Sequence, residues 1–381
     1  MGIQNLPAPV LITRPAVLKE MAESLCQESI VAVDTESNSL YAYREQVCLI
    51  QFSTAKTDYL VDPLALRDLS TLAPLFRDPK IEKVFHAAEY DLLCLKRDFD
   101  FEFANLFDTM VAARVLGREA IGLGSILEEE FGVHLDKRFQ RANWGQRPLP
   151  SQLLSYARLD THYLIALRNR LYDELKLQNL MALAREDFNR MSHTNGDTRV
   201  LEDRSADCWR ISGSFDLSPQ QAAVLFELCR YRDKIARSIN RPLFKVINDR
   251  TLLAIAEQTP QSLKELGRLP GMTKGQIDRH GAELIRAVRR GLTAEPIYPP
   301  RTPRPDEQFL ERLEVLRRWR KSTAQEMGVK SDVILPRDLL FELAEKNPQK
   351  PEELTGILKD VPWRLKHFGD QIIAELSDHR Y

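Results

Sequence analysis

Two carboxylates two residues apart, Asp34 and Glu36, follow a short apolar run at residues 31–33. The run has the composition of a buried β-strand, and side chains at positions i and i+2 of a strand point to the same face. Two carboxylates held side by side repel each other unless a cation lies between them, and Mg²⁺ and Mn²⁺ prefer oxygen ligands. The pair therefore suggests a divalent-metal site, although alone it also fits a solvated strand end.

Two further acids and a tyrosine could take part in the same chemistry as Asp34 and Glu36. Asp91 falls in the first turns of a helix predicted over residues 87–97, where the helix dipole favours a carboxylate. Tyr156 and Asp160 lie four residues apart on a long amphipathic helix predicted over residues 150–176, so they share a face. That face borders the apolar stripe, and Asp160 needs a partner because burying an unpaired carboxylate is costly. Taken singly, Asp91 also fits a surface acid and Tyr156 a core aromatic.

The elements that must position these residues are strand-like and helix-like in turn. Strands are predicted over residues 29–33, 47–52 and 57–61, then a helix over 69–76, a strand over 83–85 and the helix over 87–97. Asp108 is placed as the N-cap of a helix over residues 109–116. Sequential strands followed by strand–helix alternation predict a mixed sheet covered by helices, so the front of the chain is expected to be an α/β domain.

The back half repeats one helical pattern. The sequence V-I-x-x-R-x-L-L at residues 246–253 recurs at 333–340, and matches of Pro260, Leu266 and Gly281 keep an offset of 88. A sustained offset indicates two copies of one fold. A polar stretch at residues 192–208 and five prolines within residues 295–305 are typical of linkers. The expected domains are an α/β domain at residues 1–200 and two all-α domains at 209–294 and 306–381.

Charge and cysteine content narrow the class of protein. The net charge of −1 divides into −7 over residues 1–208, +6 over residues 209–300 and zero over residues 301–381. A basic middle beside an acidic front suggests that one part binds a polyanion and the other binds cations. Five widely spaced cysteines without a C-x-x-C pair argue against a disulfide framework and a zinc site. Neither a long apolar run nor a cleavable leader is found, so a cytoplasmic protein without membrane contact is expected.

The acids and their surroundings resemble ribonuclease D and, more broadly, the DEDDy 3′→5′ exonucleases. The matching stretches are V-D-T-E at 33–36, L-I-Q at 49–51, F-H-A-A-E-Y-D at 85–91, F-D-T at 107–109, and W-x-x-R-P-L at 144–149 before Y-A-x-x-D at 156–160. The two repeats resemble tandem HRDC domains, which are auxiliary nucleic-acid-binding modules. The resemblance covers almost the whole chain, and it implies a ribonuclease H-like mixed sheet covered by helices, followed by two small all-α domains.

This resemblance implies a metal-dependent 3′→5′ exoribonuclease that trims RNA 3′ ends, with precursor tRNA as the expected substrate and nucleoside 5′-monophosphates as products. Two divalent cations, Mg²⁺ or Mn²⁺, would stabilise charge on the attacking and leaving oxygens. Asp34, Glu36 and Asp160 would hold one cation, Asp34 would bridge to the second, and Asp91 would support the second from outside. Tyr156 would orient the attacking water or help to deprotonate it. No obligate protein partner is implied.

A further set of residues is predicted to contact nucleic acid. It combines polar residues near the acids, basic and aromatic residues before the catalytic helix, and basic residues on the first helix of the first HRDC-like domain. The set is Gln51, His86, Lys137, Arg138, Arg141, Trp144, Arg147, Arg230, Arg232, Lys234 and Arg237. Structural alternatives stay open for each: a strand position for Gln51, a helix start for His86, a loop with a buried Trp144, and an ordinary solvated helix face.

Two other functions stay open on the sequence. A DNA 3′→5′ exonuclease would carry the same acids, although no helicase or polymerase motif accompanies them here. A non-catalytic RNA-binding scaffold with an inactive nuclease domain would keep the fold, although the intact acid set argues against it. Matched RNA and DNA substrates distinguish the first alternative, and degradation that stops when the metal is chelated would exclude the second.

Overall fold

A computed structural model of the chain describes residues 6–193, 208–300 and 305–377. These residues form two compact units. The first unit contains residues 6–37, 47–193 and 305–377, so the front α/β domain and the second helical domain belong together. The second unit contains the loop of residues 38–46 and the first helical domain. The predicted linkers at residues 192–208 and 295–305 lie partly outside the described residues.

A six-stranded mixed sheet forms the centre of the first unit, with the spatial order β1-β4-β3-β2-β5-β6. The strands are β1 (Val10–Ile12), β2 (Ile30–Ser37), β3 (Val47–Ser53), β4 (Asp58–Val61), β5 (Glu82–Phe85) and β6 (Leu106–Asp108). β2 pairs antiparallel with β3 and parallel with β5. The strand that carries Asp34 and Glu36 is therefore an interior strand, held on both edges.

Burial along β2 and β3 explains why these segments form strands and where the site begins. Every residue of β3 is buried, which accounts for its continuous apolar run. β2 is buried from Val31 to Val33 and becomes partly exposed from Asp34 onward. The strand thus leaves the core at the residue where the carboxylates start.

Helices cover both faces of this sheet, which confirms the predicted architecture. Those of the front domain are α1 (Pro15–Leu25), α2 (Ala73–Arg77), α3 (Glu89–Phe99), α4 (Thr109–Val115), α5 (Leu123–Phe131), α6 (Ser151–Ala157), α7 (Leu159–His162), α8 (Leu164–Leu177) and α9 (Met181–Ser192). Asp108 caps α4 as predicted, because its Oδ1 accepts a hydrogen bond from the backbone N–H of Val111 at 2.9 Å.

The single helix predicted over residues 150–176 is wrong, because the chain forms α6, α7 and α8 there. The breaks fall at Arg158 and Tyr163. Thr161 Oγ1 donates to the carbonyl oxygen of Arg158 at 3.3 Å and lies 2.7 Å from Ser53 Oγ. Such side-chain bonds compete with the helical ladder, and apolar periodicity does not record them. Tyr156 and Asp160 therefore lie on separate short helices.

The two helical domains show the same order of five α-helices within the described residues, which confirms the predicted repeat. The first contains α10 (Pro219–Ser238), α11 (Leu243–Val246), α12 (Asp249–Gln258), α13 (Leu263–Leu266) and α14 (Lys274–Thr293). The second contains α15 (Glu307–Glu326), α16 (Ser331–Ile334), α17 (Arg337–Lys346), α18 (Pro351–Ile357) and α19 (Pro362–Ser377). Each domain has its own apolar core.

A buried arginine joins the second helical domain to the front domain within the first unit. Arg364, on α19, is fully buried and donates to Glu186 Oε2 on α9 at 2.9 Å and to Asp187 Oδ2 at 3.0 Å. It also donates to the carbonyl oxygens of Val333 and Ile334, at 2.8 and 3.1 Å. The guanidinium is thus surrounded by acceptors, as a buried cation requires.

Replacing Arg364 by methionine is expected to lower the free energy of unfolding of the first unit by roughly 3–5 kcal/mol, because Glu186 would stay buried without its cation. Urea unfolding followed by circular dichroism measures this. The matched control is Arg317→Met, whose ion pair with Glu314 is exposed and is expected to contribute less than about 1 kcal/mol. Equal losses for the two variants would contradict the assignment of Arg364 as the domain contact.

The structure bears on two expectations from the sequence, one about disulfides and one about membrane-spanning helices. The sequence argued against a disulfide framework, and the structure pairs two of the five cysteines, Cys208 and Cys229, whose Cα atoms lie 6.2 Å apart. Cys208 precedes α10 and meets it through tertiary packing, which sequence spacing does not encode. Among residues 6–193, 208–300 and 305–377, no helix has both the length and the apolar character needed to cross a bilayer.

Candidate active site

Three carboxylates converge where β2 leaves the core. Asp34 and Glu36 project from β2, and Asp160 projects from α7. One carboxylate oxygen of each lies within 4.8 Å of one oxygen of the other two. The i, i+2 spacing on β2 and the short helix α7 together create this cluster. The sequence predicted all three members, although it predicted a different helical setting for Asp160.

Asp91 lies beside this cluster and is fixed to β2 by a residue that the sequence reasoning missed. Its Oδ1 accepts a hydrogen bond from Thr35 Oγ1. Thr35 stands between Asp34 and Glu36 and points to the other side of the strand. Asp91 is 7% exposed and comes from the first turns of α3. The only sequence signal for Thr35 was its place between two acids.

Asp108 holds the start of α3, and so it helps to position Asp91. Its Oδ2 accepts from the backbone N–H of Ala88 at 2.7 Å while its Oδ1 caps α4. The preceding residue, Ala87, adopts φ +61°, in the left-handed region that is unfavourable for a residue with a Cβ. The end of β6 therefore fixes the turn that aims Asp91 at the cluster.

Burial and mutual repulsion raise the pKa of all four carboxyl groups. Desolvation is the largest cause for each. The pKa of Asp91 rises to about 7 and that of Asp160 to about 8. Neighbouring charges add to the effect for Asp34 and Glu36, whose pKa values lie well above the usual range. Within the described part of the chain, no arginine, lysine or histidine forms an ion pair with any of the four.

These properties fit a hard divalent cation. The cluster offers only carboxylate oxygens, which are the ligands that Mg²⁺ and Mn²⁺ select. Gln51 Nε2, on β3, donates to Asp34 Oδ2 at 3.2 Å, which helps to orient that carboxylate. Buried carboxylates without a cationic partner must be neutralised by protons or by metal, and the oxygens are close enough to share a metal ion.

Tyr156 is buried next to the cluster. Its ring, on α6, packs against Trp144 and Phe139, with ring centroids 6.3 and 5.5 Å apart. Burial, and then the charges of Asp160 and Glu36, raise the pKa of its hydroxyl further above the usual value of 10. In the metal-free site the phenol therefore keeps its proton at neutral pH and can donate a hydrogen bond.

Several residues predicted to contact nucleic acid have structural roles instead. Gln51 is fully buried beneath Asp34. Trp144 is 1% exposed, so its ring packs in the core and offers no face for a base. Arg147 donates to both carboxylate oxygens of Asp62, each at 2.7 Å, and to three backbone carbonyls. These corrections share one cause: the sequence shows which side chains are basic or aromatic, but not which are already engaged.

His86 and Arg232 are also engaged within the fold. His86 Nδ1 lies 2.9 Å from Thr109 Oγ1, and burial lowers its pKa, so the imidazole is neutral at physiological pH. Arg232 is 4% exposed and donates to Asp249 Oδ1 at 2.6 Å and to the carbonyl oxygen of Ile247 at 3.0 Å. Neither side chain is arranged to contact a phosphate.

The other predicted contacts lie on the surface. Arg138 is exposed and pairs with Asp136 at 2.6 Å, and Arg230 is exposed and pairs with Glu227 at 3.1 Å. Arg141, Lys234 and Arg237 are exposed. The side chain of Lys137 lies outside the described residues.

The comparisons with known proteins agree with this geometry. Residues 9–176 match the 3′–5′ exonuclease family, and residues 221–288 and 309–376 each match the HRDC domain. Ribonuclease D of Gluconacetobacter diazotrophicus is 29% identical over 385 residues, which cover 99% of this chain and 94% of that protein. The crystal structure of Escherichia coli RNase D, described as an exoribonuclease involved in structured RNA processing, superposes with a TM-score of 0.70 at 25% identity, covering 98% of this chain and 100% of that one.

A second group of relatives is longer. Protein RRP6-like 2 of Arabidopsis thaliana is 34% identical over 294 residues, which cover 72% of this chain but 33% of that protein. The chain spans about a third to a half of the length of the RRP6-type relatives, whereas it spans nearly all of the bacterial ribonuclease D proteins. One exonuclease domain followed by two HRDC domains accounts for most of the sequence. The front domain is therefore a 3′–5′ exonuclease domain followed by two HRDC domains, and the chain is similar over nearly its whole length to bacterial proteins named ribonuclease D.

Proposed function

We propose that the protein is a divalent-metal-dependent 3′→5′ exoribonuclease that trims RNA 3′ ends and releases nucleoside 5′-monophosphates. The observation that carries the proposal is the buried carboxylate cluster of Asp34, Glu36 and Asp160, with Asp91 beside it, inside a 3′–5′ exonuclease domain. Relatives named ribonuclease D and exosome exonuclease RRP6 favour RNA over DNA as the substrate.

The carboxylates are assigned to metal binding by their positions. Asp34, Glu36 and Asp160 would hold one cation, and Asp34 and Asp91 would hold a second. When bound, two divalent cations stabilise negative charge on the attacking and leaving oxygens of a phosphodiester. The Thr35 hydroxyl keeps Asp91 in place, and the amide of Gln51 keeps Asp34 in place. Both hydrogen bonds reduce the rearrangement that the two carboxylates need when the cations and RNA bind.

Tyr156 is assigned a positioning role towards the attacking water. Its hydroxyl keeps its proton because burial and the nearby carboxylates raise its pKa. It can therefore orient the water by donating a hydrogen bond.

Replacing Tyr156 by phenylalanine is expected to lower kcat about 10–100-fold, because the ring packing against Trp144 is kept and only the orienting hydroxyl is lost. KM and the affinity for Mn²⁺ are expected to change little. Steady-state kinetics on a short RNA and a metal titration by calorimetry measure the three quantities. The control is Tyr163→Phe, which removes a tyrosine hydroxyl outside the carboxylate cluster. An unchanged kcat for Tyr156→Phe would contradict the assignment.

The direct test of the proposed function is a time course on 5′-labelled RNA with a single-stranded 3′ end. A ladder that shortens from the 3′ end in Mg²⁺, and stops when the metal is chelated, is the expected result. Matched DNA is expected to be degraded more slowly. Products that keep the 3′ end would overturn the proposed polarity, and equal rates on DNA would overturn the substrate class.

We further infer that precursor tRNA is the physiological RNA class. The basic first helical domain, with a net charge of +6 over residues 209–300, provides a surface for the body of a structured RNA. The test compares precursor tRNA carrying a 3′ extension with an unstructured RNA of the same 3′ sequence. A higher kcat/KM on the precursor is expected, and equal values would overturn the inference.

A further inference from the structure

The loop that continues β2 beyond the catalytic acids is built into the first helical domain. Tyr43 is 5% exposed and lies in the apolar core of that domain. Its hydroxyl donates to Asp233 Oδ1 at 2.6 Å, and its backbone N–H donates to Asn240 Oδ1 at 3.0 Å. Asn38 closes the loop, since its Oδ1 accepts from the backbone N–H of Gln46 at 2.9 Å. The loop of residues 38–46 is therefore a fixed part of the second unit.

Cationic side chains surround this loop. They come from residues 237–245, which connect the end of α10 to α11 and are called the corner below. Lys245 Nζ lies 4.2 Å from the centroid of the Tyr41 ring, and the guanidinium of Arg237 lies 6.0 Å from that of Tyr43. Arg241, between them in sequence, is exposed. The corner thus presents two cations that each lie near an aromatic ring of the loop, and a third, exposed cation between them in sequence.

Some basic residues of the domain form ion pairs, whereas these three cations do not. Arg230 and Arg290 both pair with Glu227, and Arg286 pairs with Glu283. Within the described residues, no carboxylate forms an ion pair with Arg237, Arg241 or Lys245. The acids nearest to them in sequence have other partners, since Asp233 accepts the Tyr43 hydroxyl and Asp249 pairs with Arg232. The positive charge of the corner is therefore not neutralised by ion pairs.

Exposed apolar side chains alternate with these cations. Phe244 is 51% exposed and Ile239 is 55% exposed, and Leu40 on the loop is 39% exposed. Large apolar groups left in water on a folded domain commonly mark a binding site. Proteins hold single-stranded nucleic acid with basic side chains that bind the phosphates and with aromatic side chains that stack on the bases.

We propose that the loop and the corner form one binding surface for single-stranded RNA, with Phe244 stacking a base and Arg237, Arg241 and Lys245 contacting phosphates. This inference deepens the proposed function and rests on it. Tyr41 is five residues from Glu36, and a chain of that length spans at most about 18 Å. The surface therefore includes the residues that directly follow the catalytic strand in the chain.

Phe244→Ala and the double variant Arg241→Gln/Lys245→Gln test this surface in the full-length protein. Affinity for a single-stranded RNA oligonucleotide is measured by fluorescence anisotropy in the presence of a chelator, so that binding is read without cleavage. Phe244→Ala is expected to weaken binding about 10-fold, which is typical of losing one stacked base. The double variant is expected to lower the slope of log affinity against log salt by about 1.4, since each phosphate contact on a single strand contributes about 0.7. Phe244→Trp, which keeps the stacking face, is expected to restore binding.

Phe215→Ala and Arg286→Gln are the matched controls. Phe215 is a 54% exposed aromatic of the same domain, and Arg286 is a paired arginine on α14. Both are expected to bind RNA as the unmodified protein does. Hydrolysis of a dinucleotide in Mg²⁺ is measured alongside, and it is expected to be unchanged in every variant because none of the substituted residues belongs to the proposed catalytic set.

The outcomes separate this inference from the proposed function. If the unmodified protein hydrolyses neither a dinucleotide nor RNA, the proposed function is overturned, while the anisotropy measurement still tests the surface. Equal RNA affinity for Phe244→Ala and Phe215→Ala would overturn the surface while leaving the nuclease activity intact. A change in oligomeric state of Phe244→Ala without a change in RNA affinity would assign the surface to a second copy of the chain and overturn the inference.

Discussion

Replacing Asp34 by asparagine is expected to lower the rate of RNA 3′-end hydrolysis about 1000-fold or more, which corresponds to roughly 4 kcal/mol of lost transition-state stabilisation. Asp34 is the carboxylate that both proposed cations share, and its oxygens lie in the cluster with Glu36 and Asp160. Asparagine keeps the shape and the acceptor towards Gln51 but removes the charge. The measurement is single-turnover hydrolysis of a labelled RNA at saturating Mg²⁺.

A matched acidic residue controls for the loss of one negative charge. Asp68→Asn removes a fully exposed carboxylate of the same domain and is expected to leave the rate within about two-fold, as surface changes away from a site usually do. RNA affinity measured in chelator is expected to be kept in Asp34→Asn. Retention of full hydrolytic activity by Asp34→Asn would falsify the assignment of the cluster as the catalytic centre.

Metal-free protein is expected to become less stable as the pH rises from about 5 to about 8, whereas metal-saturated protein is not. The pKa values of Asp91 and Asp160 in the fold are about 7 and about 8, against 3.8 for an ordinary aspartate. Between these values the native state binds more protons than the unfolded chain, so its stability falls as the pH rises. The contribution is fully present below about pH 4 and is lost as the pH passes through 7–8. Bound metal offsets the repulsion by replacing the protons.

Thermal unfolding with excess chelator and with excess Mg²⁺ measures this effect. The difference in Tm between the two conditions is expected to be near zero at pH 5 and to reach roughly 10 °C at pH 8. Asp34→Asn is expected to raise the Tm of the metal-free protein at pH 8 and to reduce the difference, because it removes one of the repelling charges. A difference in Tm that is the same at pH 5 and pH 8 would contradict a metal site made from these buried acids.

The sequence predicts the residues of the site better than the residues that hold them in position. Strand periodicity placed Asp34 and Glu36 on one face, and the resemblance added Asp91, Tyr156 and Asp160, which the fold brings together. Thr35 was missed because alternation assigns it to the opposite face, and only the packing of α3 against β2 makes it a partner for Asp91. The break before α7 was missed because it depends on Thr161 meeting Ser53, more than a hundred residues away.

The nucleic-acid contacts were the least predictable part. The type of a basic or aromatic residue does not reveal whether its side chain is free to contact RNA or is already engaged within the fold. Arg147 forms an ion pair with Asp62, and Arg232 forms one with Asp249. Trp144 is buried beside Tyr156. The three cations of the corner, by contrast, form no ion pair within the described residues, and their place beside the exposed ring of Phe244 is a property of the fold. Which charges are neutralised is a tertiary property, and it decides where a polyanion can bind.

The contact between Arg364 and Glu186 bears on the order in which this protein is made. The ribosome completes α19 after all the other described helices, yet α19 supplies the cation that Glu186, on α9, requires. Glu186 therefore lacks its cationic partner until both helical domains have been synthesised. A chain that stopped near residue 300 would contain every proposed catalytic residue and still leave Glu186 without this cation.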